Sequence, residues 1–247
     1  MRIRHLRPVG YARDLVRREF KLLVTILVIV ASLWTFLVLA NAVDGGAIQE
    51  FDDAVLVSLR QAGNQEVPRG PAWFSEVMRD VTSLGGGPVI FLVTLTVAIY
   101  VGLHRKYQAL LLLLVTAVGG LLLELGLKEF FGRGRPSIVP HLMTVNSLSF
   151  PSGHSMMATV VYLVLAALLA PQVPDRRSRI FVIAVALLLT FVIGVSRVYL
   201  GVHYPSDVLG GWSVGLAWAT LCWLASWYIE RRRTARGSVN AVNELQE

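Results

Sequence analysis

His203 and Asp207 stand four residues apart in the stretch Ser196-Arg197-Val198-Tyr199-Leu200-Gly201-Val202-His203-Tyr204-Pro205-Ser206-Asp207. At that spacing the carboxylate can hold the proton on one ring nitrogen and leave the other nitrogen free for nucleophilic or base work. Arg197 adds a fork of donors suited to phosphate oxygens. Taken alone, the stretch also admits a plain reading: Asp207 as a first-turn helix acid, Arg197 reaching a lipid headgroup, His203 a loop residue. The elements around it decide between the two.

The chain of 247 residues is 55% hydrophobic and 16% charged, and its apolar runs reach the length needed to cross a bilayer. It is therefore expected to be an all-α polytopic membrane protein. Residues 1–21 are strongly basic and form a cytoplasmic N-terminus, and residues 22–230 form a six-helix membrane domain. The first helix, Leu22 to Val43, is a retained span rather than a removable signal peptide. Residues 44–84 are mainly acidic and form an outer-surface segment with two short amphipathic helices, 51–59 and 72–81, separated by Pro68-Arg69-Gly70-Pro71. Five further spans follow, at about 86–103, 107–131, 151–170, 180–196 and 207–229, and residues 231–247 form a polar, irregular cytoplasmic tail. The net charge is +7, and the basic residues cluster beside membrane segments, in 1–21 and in the links 104–106, 176–179 and 231–233, as the positive-inside rule requires, so no nucleic-acid partner is called for. The lone Cys222 lies in an apolar run and is expected to be a buried structural thiol.

In this topology Lys128 and Arg135, Ser152 to His154, and Arg197 to Asp207 all fall at the external ends of spans three to six. Three cations, two imidazoles, a carboxylate and a helix N-terminus at one membrane face describe a phosphate site. Lys128, Arg135 and Arg197 would neutralise nonbridging oxygens. Ser152 and Gly153 lie where the first free amides of a helix point outward. His203 backed by Asp207 is the better nucleophile, which leaves His154 as general acid. The excess of cations argues against a bound divalent ion, and no cofactor is implied.

Lys128-x6-Arg135-Pro136, Pro151-Ser152-Gly153-His154 and Ser196-Arg197-x5-His203-x3-Asp207 resemble the three motifs of the type 2 phosphatidic acid phosphatase (PAP2) superfamily, complete and in order. The resemblance implies metal-free hydrolysis of a phosphate ester or diphosphate. It gives His203 as nucleophile, Asp207 as its orienter, His154 as acid, and Lys128, Arg135, Ser152, Gly153 and Arg197 as phosphate ligands. The membrane embedding is similar to that of bacterial lipid phosphatases acting on undecaprenyl diphosphate, phosphatidate or phosphatidylglycerophosphate. That implies a bacterial inner membrane, with the site on its external face and both termini inside. A phosphotransferase using the same phosphohistidine is the alternative enzyme. A non-enzymatic transporter would place charges near the span centres, where spans one, two, four, five and six carry none.

Other residues read more simply. Glu124, one helical turn before Lys128, is expected to be its ion-pair partner. Arg133 and His141 are expected to be solvated loop residues. Gly119-Gly120 and Gly210-Gly211 are expected to be close-packing positions, and Trp212, Trp218, Trp223 and Trp227 packing or lipid-facing residues.

Overall fold

The computed structural model describes residues 8–244, with side chains from 19 to 232. Its helices are α1 (Pro8–Asp44), α2 (Gln49–Ser58), α3 (Ala72–Ser83), α4 (Gly87–Leu103), α5 (Tyr107–Phe131), α6 (Gly153–Leu169), α7 (Arg176–Tyr199) and α8 (Pro205–Glu244). Five of these, α1, α5, α6, α7 and α8, are long and apolar enough to cross a membrane. The pair α3 and α4, bent by 43° at the break between them, supplies a sixth crossing when taken as one span. The chain is thus all-α in its membrane part.

The helix ends depart from the expected limits because an apolar run marks where lipid ends, not where helical hydrogen bonding ends. Helix α1 begins at Pro8, a residue whose missing N–H costs nothing in a first turn, and runs through the basic segment expected to precede it. Helix α8 likewise opens at Pro205 and continues to Glu244, so the expected irregular tail is helical up to that point. Residues 1–7 and 245–247 of the two expected cytoplasmic ends lie outside the described residues. Helix α7 starts at Arg176, inside the expected link, because the Asp175 side chain caps it by accepting from Ser178 N at 2.8 Å.

One feature between α2 and α3 was not expected. Residues Arg60–Gln61 and Asn64–Pro68 pair as antiparallel strands β1 and β2, with the turn passing through Gly63 at φ +80°. The two-residue connection Ala62-Gly63 is enough to close such a ribbon, but it has no apolar alternation to announce it.

Helix α6 is the centre of the bundle, packed against α4, α5, α7 and α8, while α1 lies along α8. Its span is 56% buried, against 11% for α1, most of whose large side chains, Phe36 excepted, face outward. Phe36, Phe150, Met156, Val160 and Val214 form the main core. The approach of α8 to α6 depends on Gly211, where an added Cβ would lie 2.6 Å from Ser152 O. That closeness brings the start of α6 against the start of α8, and Ser152 N donates to Asp207 O at 2.9 Å. Gly119, Gly120 and Gly210 are close-packing positions as expected, and Trp212 and Trp218 pack inward by donating to Thr190 O and Thr116 O. Cys222 is buried.

Candidate active site

Four helix ends and one loop meet at a single end of the bundle. Helix α5 stops at Gly132, whose left-handed φ of +57° lets its N–H close on Lys128 O at 2.9 Å and turns the chain back across the bundle end. The loop that follows is closed by Ser149 N donating to Arg133 O at 2.9 Å. Arg133, Arg135, Ser147 and Ser149 are thereby gathered over the N-termini of α6 and α8.

His203 is 1% exposed and lies in the short connection between α7 and α8. Its Nδ1 is 3.3 Å from both Asp207 Oδ2 and Ser149 Oγ. Asp207 Oδ2 also accepts from Ser149 Oγ at 2.5 Å and from Tyr204 N at 2.9 Å, while Oδ1 accepts from Arg133 Nη1 at 2.7 Å. An ionised carboxylate can only accept, so the proton of the neutral imidazole belongs on Nδ1 and the lone pair on Nε2. Arg135 Nη1 lies 3.2 Å from Nε2 as its donor. Burial and then the charges of Arg197, Arg135 and Lys128 push the His203 pKa well below the ordinary imidazole value. That shift favours the neutral ring, whose Nε2 lone pair faces Arg135.

The other candidate phosphate ligands surround this nitrogen. Arg135 donates from Nε to Ser147 O at 2.6 Å and from Nη1 to Val202 O at 2.6 Å, which orients the guanidinium. Lys128 pairs with Glu124 at 2.8 Å, as expected, and donates to Ser147 Oγ at 3.4 Å. Arg197, 1% exposed, donates from Nη1 to Thr82 Oγ1 at 3.2 Å and contacts Met143 Sδ, but its buried Nε meets no acceptor among the described residues. A buried cation short of an acceptor beside two further cations is a site built for an anion. Ser152 and Gly153 open α6, and the Ser152 side chain makes no capping bond to its first amides. The Ser152 hydroxyl itself is fully buried and accepts from Ser155 Oγ at 3.0 Å.

His154 is half-buried and lies within electrostatic reach of Arg197, His203, Lys128 and Arg135. A Cβ added to Gly86, in the break between α3 and α4, would stand 3.6 Å from its Nε2. From His154, Gly153 and Glu124 a groove of about 400 Å³ runs between α4 and α5, lined by apolar side chains such as Ile90, Phe91 and Leu121. Phe91 and Leu121 are exposed on the lipid-facing side of the bundle.

All eight sequence-predicted residues thus lie at one end of the bundle. Four other residues packed into the same cluster were missed. Arg133, expected to be solvated, instead bridges Asp207 and Asp52, at 2.7 and 2.8 Å, and stacks over the Tyr204 ring at 4.2 Å. Burial alone would lower its pKa, but Asp207 and Asp52 together outweigh that and raise it. Asp52, on α2, is completely buried and also accepts from Ser206 N at 3.0 Å and from the Ser206 hydroxyl. Ser147 and Ser149 complete the set. The Gly-Arg-Gly-Arg-Pro run was a visible signal for Arg133, whereas nothing in the sequence singled out Asp52 or the two serines. His141, by contrast, bonds within its own loop, with Nε2 2.7 Å from Pro136 O.

Known proteins resemble this chain in sequence and fold. The PAP2 superfamily model matches residues 108–231. Phosphatidylglycerophosphatase B of Bacillus subtilis is 41% identical over 188 residues, covering 73% of this chain and 86% of its own. A lipid A 1-phosphatase of Rhizobium johnstonii is 37% identical over 133 residues, 50% of this chain and 48% of its own. Among solved structures, a transmembrane PAP2 type phosphatidylglycerolphosphate phosphatase from Bacillus subtilis superposes with a TM-score of 0.71 at 35% identity, over 81% of this chain and 96% of that one. On the family match, the identity to the Bacillus protein and the shared architecture, the chain belongs to the PAP2 superfamily.

Proposed function

We propose that this membrane PAP2 lipid phosphatase hydrolyses a lipid phosphomonoester or diphosphate through a phosphohistidine on His203, without a metal, at the outer face of the membrane. The observation that carries the mechanism is the division of labour on the imidazole. Nδ1 is held by Asp207 and Ser149, while the lone pair of Nε2 meets the Arg135 guanidinium. A substrate phosphate entering there takes over the Arg135 donors and exposes its phosphorus to that lone pair.

Nε2 bonds to phosphorus as the bond to the ester oxygen breaks. The leaving oxygen takes the electron pair and a proton from His154. Amid so many cations, His154 can hold that proton only with the substrate's negative charge beside it. Asp207 balances the positive imidazole formed in this step. Water then adds to phosphorus, giving a proton to His154, and the bond to Nε2 breaks, which releases inorganic phosphate and restores both rings. Lys128, Arg135 and Arg197 spread their charge over the nonbridging oxygens throughout, and the amides of Gly153 and the first turn of α6 add to them.

The groove between α4 and α5 leads from His154 to the lipid-facing surface, which suits a substrate whose tail stays in the bilayer. The named activities of the two matched relatives favour lipid phosphomonoesters of the phosphatidylglycerophosphate kind as the first substrates, with phosphatidate and undecaprenyl diphosphate beside them. The outer-face orientation is supported by the basic links Arg105-Lys106 and Arg176 to Arg179, at the bundle end opposite the site.

Phosphate release by purified protein in detergent, across these lipids and with chelator throughout, tests this reading. Release should persist in chelator and fall when orthovanadate occupies the anion site. Loss in chelator with recovery on adding a divalent ion would refute the metal-free mechanism, and transfer of the phosphoryl group to an added alcohol in place of water would favour the phosphotransferase.

A further inference from the structure

Asp207 does not face His203 alone, because its other oxygen is engaged by Arg133 at 2.7 Å. A guanidinium so close would cancel most of the carboxylate's charge and leave little to stabilise a positive imidazole. The same guanidinium, however, gives its second nitrogen to Asp52 at 2.8 Å. Both carboxylates are fully buried and the Arg133 side chain is nearly so. The trio therefore holds two negative charges and one positive, with one negative charge in surplus.

We propose that Asp52 is a positioning residue for the candidate nucleophile: by sharing Arg133, it leaves more of the Asp207 charge directed at His203. This rests on His203 being the nucleophile, since the surplus charge matters when phosphorus bonds to Nε2 and the ring becomes positive. Asp52 lies on α2, outside the stretch matched by the family model, and reaches α8 through Ser206. An extramembrane helix thereby tunes the charge at the centre of the site.

The competing role is purely structural. Asp52 accepts from Ser206 N in the first turn of α8, so it could serve only as a helix cap supplied from α2. Asn caps about as well as Asp, so Asp52→Asn separates the roles. Under the charge account, Asp52→Asn lowers kcat about tenfold or more with KM changed less than about threefold, since the loss falls on the transition state. The double variant Asp52→Asn with Arg133→Gln removes one charge of each sign and restores the surplus. Its kcat should return to within about threefold of wild type, since each tenfold in rate answers to only about 1.4 kcal/mol.

The experiment measures kcat and KM on one lipid phosphate for wild type, the single variant, the double variant and His203→Ala, with size-exclusion profile and vanadate binding as checks on folding. Wild-type turnover in folded Asp52→Asn, or a double variant no faster than the single one, overturns the proposal. If Asp52→Asn does not fold, the double variant decides alone, because a folded double variant more than about tenfold below wild type is incompatible with charge compensation. Retained turnover in His203→Ala would instead overturn the nucleophile assignment, and this inference with it.

Discussion

The imidazole of His203 is enclosed by Asp207, Ser149 and Arg135, each meeting a particular ring nitrogen, whereas that of His154 stands half-buried at the mouth of an apolar groove beside Gly86 and Glu124. The first surrounding favours one tautomer. The second leaves more of the ring open toward the groove. Under the proposed mechanism the two histidines of one site take different duties from their neighbours rather than from their own chemistry, and each duty responds to a different substitution.

The largest effect is expected at the enclosed ring. His203→Ala should lower turnover by at least about a thousandfold on every lipid phosphate, measured as phosphate release, because no other side chain replaces a covalent nucleophile. Asp207→Asn comes next. It keeps the shape and the helix-start position of Asp but can present an amide donor to Nδ1, so turnover should fall about a hundredfold while vanadate binding stays near wild type, and thermal stability should drop because buried Arg133 loses a charged partner. Near-normal turnover in Asp207→Asn would reduce Asp207 to a helix-start residue and erase the contrast between the two pockets.

His154→Ala should show a dependence on leaving group that His203 variants lack. A lipid alkoxide needs the proton and its release should slow about a hundredfold, whereas an activated aryl phosphate should suffer much less. Equal losses on both substrates would remove the acid role. Ser149→Ala removes the hydroxyl that donates to Asp207 Oδ2 and lies beside Nδ1, and turnover should fall about tenfold, the scale of one charge-assisted hydrogen bond. The smallest effect, separate from the larger loss of turnover expected on removing a phosphate ligand, is a displacement on the pH axis. Arg135 is one of the charges that depress His203, so Arg135→Gln should raise the pKa of the ring. A raised pKa leaves less neutral imidazole in acid, and the acid limb of kcat/KM should move toward neutral pH relative to wild type.

The orientation of these pockets can be tested without activity. Cysteine at exposed Gly134 should react with a membrane-impermeant thiol reagent in intact cells, and cysteine at exposed Gln172 only after permeabilisation. The reverse pattern would put the site inside.

What the sequence made legible was local. Glu124 with Lys128 and His203 with Asp207 are pairs four residues apart, and helical or near-helical spacing announces them before any tertiary contact is known. The three polar clusters were legible as one site only through topology, since apolar spans of similar length bring every second connection to the same face. Contacts between distant segments were not legible. Asp52 and Ser206 lie on different helices, and Asp52 sits in a short acidic amphipathic segment where a solvated face is the ordinary reading. Arg133 was read as solvated because its partners, Asp52 and Asp207, approach it only after α5 ends at Gly132 and the loop folds back. Helix ends failed for a different reason: hydropathy locates the lipid boundary, and α1, α7 and α8 all carry their hydrogen bonding past it.

The account rests on a bond between phosphorus and His203 Nε2, and trapping that bond tests it most directly. Protein mixed with a radiolabelled lipid phosphate, quenched within one turnover and held at alkaline pH, should carry label stable to alkali and labile to acid, located by mass spectrometry on the peptide containing His203. The label should be absent from His203→Ala and, if His154 serves as base for the water step, should accumulate in His154→Ala supplied with an activated aryl phosphate. Label on another residue, or full turnover in His203→Ala, would contradict the account.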